Sequence, residues 1–286
     1  MIAGYCRHKY GEEALDCLKH MQLQGTLPDA NTYVCCVKAC GSIRSTDKSR
    51  EIHALIAANG LGNNGIIGNA LINMYMNCGQ VQEAQEVFNE LSERNVVSWN
   101  ALIAGYAQHG LGNEALKCFE CMRHEGVAPD EYTYVCVLKA CTNTKAGRKG
   151  QEIHAQVVGN HFLHGDVVIG NALIEMYSSL GLLDKAHEVF DKLSFQDVIS
   201  WTVLIDGYIE LGQSRKALYL YENIKFYGIS PDVITYCSAL KACGNLGEIE
   251  KGEEIHAAIK SKGLLEDVEV AGSLVDMYAK CGSFGK

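Results

Sequence analysis

NVVSWNALIAGYAQHG, residues 95–110, returns 102 residues later as DVISWTVLIDGYIELG, residues 197–212. Trp, Leu-Ile, Gly-Tyr and a closing Gly keep their places, while the residue after Trp changes from Asn100 to Thr202. In the first copy Trp99, Leu102, Ile103 and Tyr106 fall at i, i+3, i+4 and i+7, one face of a helix. Gly110 and Gly112 mark a break. A second helix then carries Ala115, Phe119 and Met122 on one face and stops near Gly126, with Pro129 beyond it. One such pair cannot bury its apolar face alone.

Working outward, the same scheme covers the whole chain. Modules 96–130 and 198–232 each end in Pro-Asp, and Pro28-Asp29 closes a partial module, 1–29. Between them lie two further types. Residues 30–64, 131–166 and 233–267 each contain Lys-Ala-Cys and, further on, Glu-Ile-His-Ala; residues 65–95, 167–197 and the partial 268–286 form a type whose complete copies hold Gly-Asn-Ala-Leu-Ile. The complete modules are 35, 31 or 36 residues long. In the short type Ala84, Val87, Phe88 and Leu91, or Ala186, Val189, Phe190 and Leu193, repeat the helical face. Stacked helix pairs of this kind build an all-α, right-handed superhelical solenoid, with 1–286 as a single repeat array.

Composition agrees with an ordered chain: 48% hydrophobic, 21% charged and three prolines in 286 residues. No apolar run reaches the ~18 residues of a membrane span. The start, MIAGYCRHKYGEEAL, has the layout of neither a secretory signal nor a transit peptide. Thirteen cysteines suggest a disulfide scaffold, but Cys40, Cys141 and Cys243 recur in the same Lys-Ala-Cys triplet, as small buried hydrophobes would. The odd total also favours reduced thiols. A net charge of −9 argues against nucleic acid, since phosphate binding draws on Lys and Arg.

The alternation of VVSWNALIAGY…PD, YTYVCVLKAC…EIHA and VVIGNALIEMYSSLG…VFDKL modules resembles the plant pentatricopeptide repeat (PPR) proteins of the PLS subclass, which alternate long and short motifs. The resemblance spans the whole chain. It implies single-stranded RNA binding at one base per module, read by the fifth residue and the last. Carried onto this chain, the pairs are Asn69 with Asn95, Asn100 with Asp130, Asn171 with Asp197, and Thr202 with Asp232. The family's correspondence makes these C, U, U and G. Position two, held here by Ile66, Val97, Val168 and Ile199, would pack on the base face. Val34, Val135 and Cys237 stand at the fifth position of the Lys-Ala-Cys modules, with Asn64, Asp166 and Asp267 at the last. An apolar fifth residue cannot bond a base edge, so these modules are spacers, and the expected footprint is 5′-C-U-n-U-G-n-3′. The resemblance further implies no cofactor, a mitochondrial or chloroplast location, organellar RNA as partner rather than DNA or membrane, and C-to-U editing with deaminase activity from residues outside this sequence or from editing-factor proteins.

Simpler readings stand beside these. Asn and Asp are common helix caps, although four pairs in matched positions favour recognition. Lys38, Lys139 and Lys241 share a helix face with the fifth position, as phosphate contacts or as solubilising charges. Phosphate contact would require Glu and Asp to crowd the opposite, convex side. His53, His154 and His256 lie a hundred residues apart, too far to converge on a metal, and read as packing. Cys118 to Cys121 is a lone CxxC without a second half. Deaminase, Walker A and HExxH patterns do not occur, so catalysis is not expected. Met1 aligns with the seventh module position and Lys286 falls after a first helix, which reads as a fragment of a longer protein. The alternative function is a peptide-binding scaffold using the same groove.

Overall fold

Each first helix starts where the periodicity places a module start. The computed structural model describes residues 1–8, 10–160, 162 and 167–282, and among these there are seventeen α-helices and no strand. They fall into two compact units, Met1–Thr144 and Lys145–Lys286. The first unit holds α1 (Ile2–Arg7), α2 (Gly11–Leu23), α3 (Ala30–Ile43), α4 (Thr46–Ala58), α5 (Gly65–Asn77), α6 (Val81–Glu90), α7 (Val96–Gln108), α8 (Gly112–His124) and α9 (Glu131–Thr144). The odd-numbered helices pack side by side, α1 on α3, α3 on α5, α5 on α7 and α7 on α9. Each even-numbered helix of α2, α4, α6 and α8 packs against the odd ones on either side of it. This is helix-pair stacking, in which each pair buries the face its neighbour leaves open.

The second unit repeats the plan with α10 (Gly147–Gly159), α11 (Val167–Ser179), α12 (Leu183–Lys192), α13 (Val198–Glu210), α14 (Ser214–Ile224), α15 (Val233–Leu246), α16 (Ile249–Ser261) and α17 (Val268–Lys280). Its first helices form the row α11, α13, α15, α17. Gly112, read from sequence as part of a break, is instead the first residue of α8. Gly110 alone makes the turn, with φ of 73°.

Aromatic side chains tie successive modules together. Phe88 meets Trp99 edge-on at 4.6 Å, Phe190 meets Trp201 at 4.9 Å, and Phe119–Tyr134 and Tyr221–Tyr236 repeat the contact at 6.1 and 6.2 Å. Offset edge-to-face pairs of this kind add to the burial of large apolar area. The short modules solve the same position differently. Their second helices, α6 and α12, run ten residues against thirteen in α4 and α8. The chain then turns back so that Leu91 and Leu193 fill the space over the fourth residue, which is glycine in both modules. A Cβ on Gly68 would lie 2.4 Å from Leu91, and one on Gly170 2.2 Å from Leu193.

The polar residues of the repeat frame are packing groups. Cys40, Cys141 and Cys243 are fully buried and all cysteines are free thiols. Burial pushes the Cys40 and Cys243 thiols up to about 12. His53, His154 and His256 each bond the tyrosine hydroxyl of the next first helix, Tyr75, Tyr177 and Tyr278, at 2.7, 2.8 and 2.9 Å.

Candidate nucleic-acid interface

Module-end residues are where the chain enters each first helix, and their side chains satisfy its free N–H groups. Asn95 Oδ1 accepts from the Val97 and Ser98 amides, and Asp130, Asp197 and Asp232 accept from Thr133, Ser200 and Thr235 at 2.8 Å. Asn64 and Asp267 do the same for α5 and α17. Capping therefore explains Asn or Asp at these places without reference to any ligand. Asp166 lies outside the described residues.

The fifth residues are not caps. They sit past the first turn of α5, α7, α11 and α13, and Asn100, Asn171 and Thr202 are more than nine-tenths buried. A buried polar side chain needs a partner, and its absence costs about 1–3 kcal/mol. Asn100 Nδ2 donates to both oxygens of Asp130, at 2.9 and 3.1 Å, and Asn171 Nδ2 donates to Asp197 at 3.2 Å. Thr202 does not bond Asp232 directly. Thr235 stands between them, its hydroxyl 2.7 Å from that of Thr202 and donating to Asp232 at 2.6 Å. No hydrogen bond joins Asn69 to Asn95; Asn69 Oδ1 is buried without a partner.

Two of the carboxylates are tuned by this arrangement. Burial alone would raise Asp130, but the Thr133 amide, Asn100 and the Thr133 hydroxyl donate to it and hold it below the usual carboxylate range. Asp197 has the same balance, with Ser200 and Asn171 outweighing burial. Both are acceptors only when ionised, so each forces the facing asparagine to present its NH2.

In each unit, on the same helix face and three residues before the fifth position, apolar side chains are exposed. Ile66 is 71% exposed, and Val97, Val168 and Ile199 are 53–54% exposed. Tyr132 and Ile234 occupy the same place in two spacer modules and are equally exposed. The sequence reading left these two out, though register alone would have found them. Within each unit, apolar side chains held out of the core at one register leave flat apolar surface open to solvent.

Lys38, Lys139 and Lys241 are exposed and form no ion pair among the described residues. The expectation that acidic residues would gather on the opposite side does not hold in the second unit. Lys241 shares an open cleft with Asp206, Glu210, Glu269 and Asp276. The sequence reading followed the ninth module position only where it is Lys; in α11, α13 and α17 it is Glu175, Asp206 and Asp276. Burial raises the Asp206 carboxyl, offset in part by the Ser238 hydroxyl and Lys241.

Comparison with known proteins accounts for the repeat. The model described as PPR repeat family matches residues 1–42, 94–143 and 196–245, and that described as PPR repeat matches 69–96, 171–195 and 234–264. The Arabidopsis thaliana pentatricopeptide repeat-containing protein At1g03540 is 33% identical over 286 residues, covering 99% of this chain and 46% of that protein. From the same plant, At4g18520, named chloroplastic, is 33% identical over 282 residues, covering 99% and 46%. At3g02330, named mitochondrial, is 33% identical over 302 residues, covering 99% and 33%. The chain thus spans less than half the length of these relatives. Among solved structures, the pentatricopeptide repeat protein PPR10 of maize, in complex with an 18-nt psaJ RNA element, superposes with a TM-score of 0.72 at 20% identity, covering 99% of this chain and 47% of that one. That likeness shows the fold.

Proposed function

Because the chain belongs to the pentatricopeptide repeat family, we propose that it binds single-stranded RNA and reads one base per module. The observation that carries this reading is the pairing of a buried fifth residue with the carboxylate that ends its module, as in Asn100–Asp130 and Asn171–Asp197, on a face that also presents exposed Val97 and Val168. An apolar side chain covers the face of a base, and the oriented amide meets its Watson–Crick edge. The alternating 35- and 31-residue modules, read as one array, belong with the PLS subclass. The footprint is 5′-C-U-n-U-G-n-3′.

A physical logic separates the first two bases. Asp130 accepts from the Asn100 amide on both oxygens and holds it in one orientation, whereas no hydrogen bond ties the Asn69 amide to Asn95 and its Oδ1 stays unpartnered. Thr202, shorter than Asn, leaves room for a purine. Lys38 and Lys139 are the phosphate contacts favoured by this reading; Lys241, outnumbered by acids, contributes least. Relatives named chloroplastic and mitochondrial support an organellar site of action. The process assigned first is selection of C-to-U editing sites, with the deaminase supplied by a partner protein and no catalysis by these residues.

The test replaces exposed platform residues, which carry little of the fold. Val97→Asp combined with Ile199→Asp is expected to weaken binding of an unstructured RNA by tenfold or more, since base stacking is worth about 1–3 kcal/mol per base. The unfolding midpoint should barely move. Unchanged RNA affinity in the folded double variant, or capture of peptides in place of RNA, would contradict the reading.

A further inference from the structure

The hydroxyl three residues into the following module touches every described reading pair. Ser98, Thr133, Ser200 and Thr235 are all buried. Thr133 Oγ1 lies 2.6 Å from Asn100 Oδ1 and 2.8 Å from Asp130 Oδ1, closing a triangle with the Asn100–Asp130 bond. Asn100 Oδ1 can only accept, so at 2.6 Å it shares the Thr133 hydroxyl proton, which also faces Asp130. The amide is then held at both ends. At the Thr202 site the hydroxyl of Thr202 has inward acceptors in Val198 O, at 2.8 Å, and Thr235 Oγ1. Its single proton is directed inward, leaving lone pairs for a base that donates, as guanine does.

Where serine stands at this place the clamp is absent. Ser200 donates to Asp197 at 2.8 Å, and Asn171 Oδ1 is left buried and unpartnered beside a single 3.2 Å bond. Ser98 serves the Asn95 backbone, and Asn69 Oδ1 is likewise unpartnered. Thr differs from Ser in having its χ1 restricted by the extra methyl, which fixes where the hydroxyl points. The third residue also follows the fifth in polarity through the chain. After the apolar fifth residues Val34, Val135 and Cys237 the next module places Ile67, Ile169 and Val270 there, and after the polar ones Ser or Thr.

We propose that the third residue of the following module is a positioning residue of each base-reading site, and that Thr rather than Ser at this place sharpens the choice of base. This rests on the base reading proposed above. The sites at Asn100 and Thr202 are then read strictly and those at Asn171 and Asn69 loosely.

The experiment uses the full chain and RNAs carrying C-U-n-U-G, with C replacing either U in turn. U-over-C preference is measured separately at the Asn100 and Asn171 bases, so each site is the other's control. Thr133→Val is expected to lower the preference at the Asn100 base roughly five- to tenfold, the equivalent of one lost hydrogen bond. Preference at the Asn171 base should stay unchanged, and Thr133→Ser should lose less. Ser200→Thr should raise the preference at the Asn171 base, which decides the matter if Thr133→Val fails to fold. Unaltered preference at the Asn100 base in folded Thr133→Val, or no gain in Ser200→Thr, would overturn the proposal while leaving base reading intact. Absence of any U-over-C preference in the unaltered protein would overturn both.

Discussion

Trp201→Ala is expected to destabilise the second unit by about 3–5 kcal/mol, the cost of emptying a large aromatic site in a packed core. Trp201 is 3% exposed, meets Phe190 edge-on at 4.9 Å and is covered by Tyr227 at 5.1 Å. Its indole N–H has no partner, so the loss is one of packing rather than hydrogen bonding. Trp201 lies on α13, which packs on both α12 and α14. Urea unfolding measures the loss. The chain has two tryptophans, so in this variant Trp99 fluorescence reports the first unit alone. The transition followed by circular dichroism should fall to lower urea, and the Trp99 transition should move less, because repeat stability is a sum of local terms. A shift below ~1 kcal/mol would mean that the aromatic chain is not what holds the modules together.

Thr202→Asn is expected to turn the preference at the corresponding base from G to U. The substitution recreates the set Asn100–Asp130–Thr133, because Asp232 and Thr235 already stand where Asp130 and Thr133 do. Each mismatch at a well-read base should cost about 1–3 kcal/mol, or roughly 5- to 150-fold in Kd, on the scale of protein–nucleic acid recognition. The reverse change, Asn100→Thr, should move the other site toward G. Binding titrations with both RNAs check the pair. Loss of affinity for both bases with no exchange of preference would mean that Thr202 packs and does not read.

The fold was legible because stacking imposes the same apolar positions on every module. Trp99 and Trp201, or Phe88 and Phe190, recur at fixed spacing since each must meet its counterpart in the next module. The places of the proposed reading pairs were legible for a related reason: a module-end Asn or Asp must cap the next helix, so its position is fixed by the backbone. What lay beyond reach depends on angles and distances between modules. Thr235 standing between Thr202 and Asp232 follows from how α13 and α15 pack, and spacing along the chain says nothing of it. The acidic surroundings of Lys241 come from α13 and α17 together. Tyr132 and Ile234 were missed for a plainer reason, that attention to polar fifth residues passed over the modules that lack them.

The central claim, that successive modules choose successive bases, is tested most directly by titrating the unaltered protein at fixed salt with two short single-stranded RNAs. One carries C-U-n-U-G and the other has U and G exchanged at its last two readable positions. The account predicts that the first binds more tightly by at least tenfold, two mismatches at ~1–3 kcal/mol each. Equal affinities with a steep dependence on salt would contradict it, reducing the interaction to the attraction between lysines and phosphates.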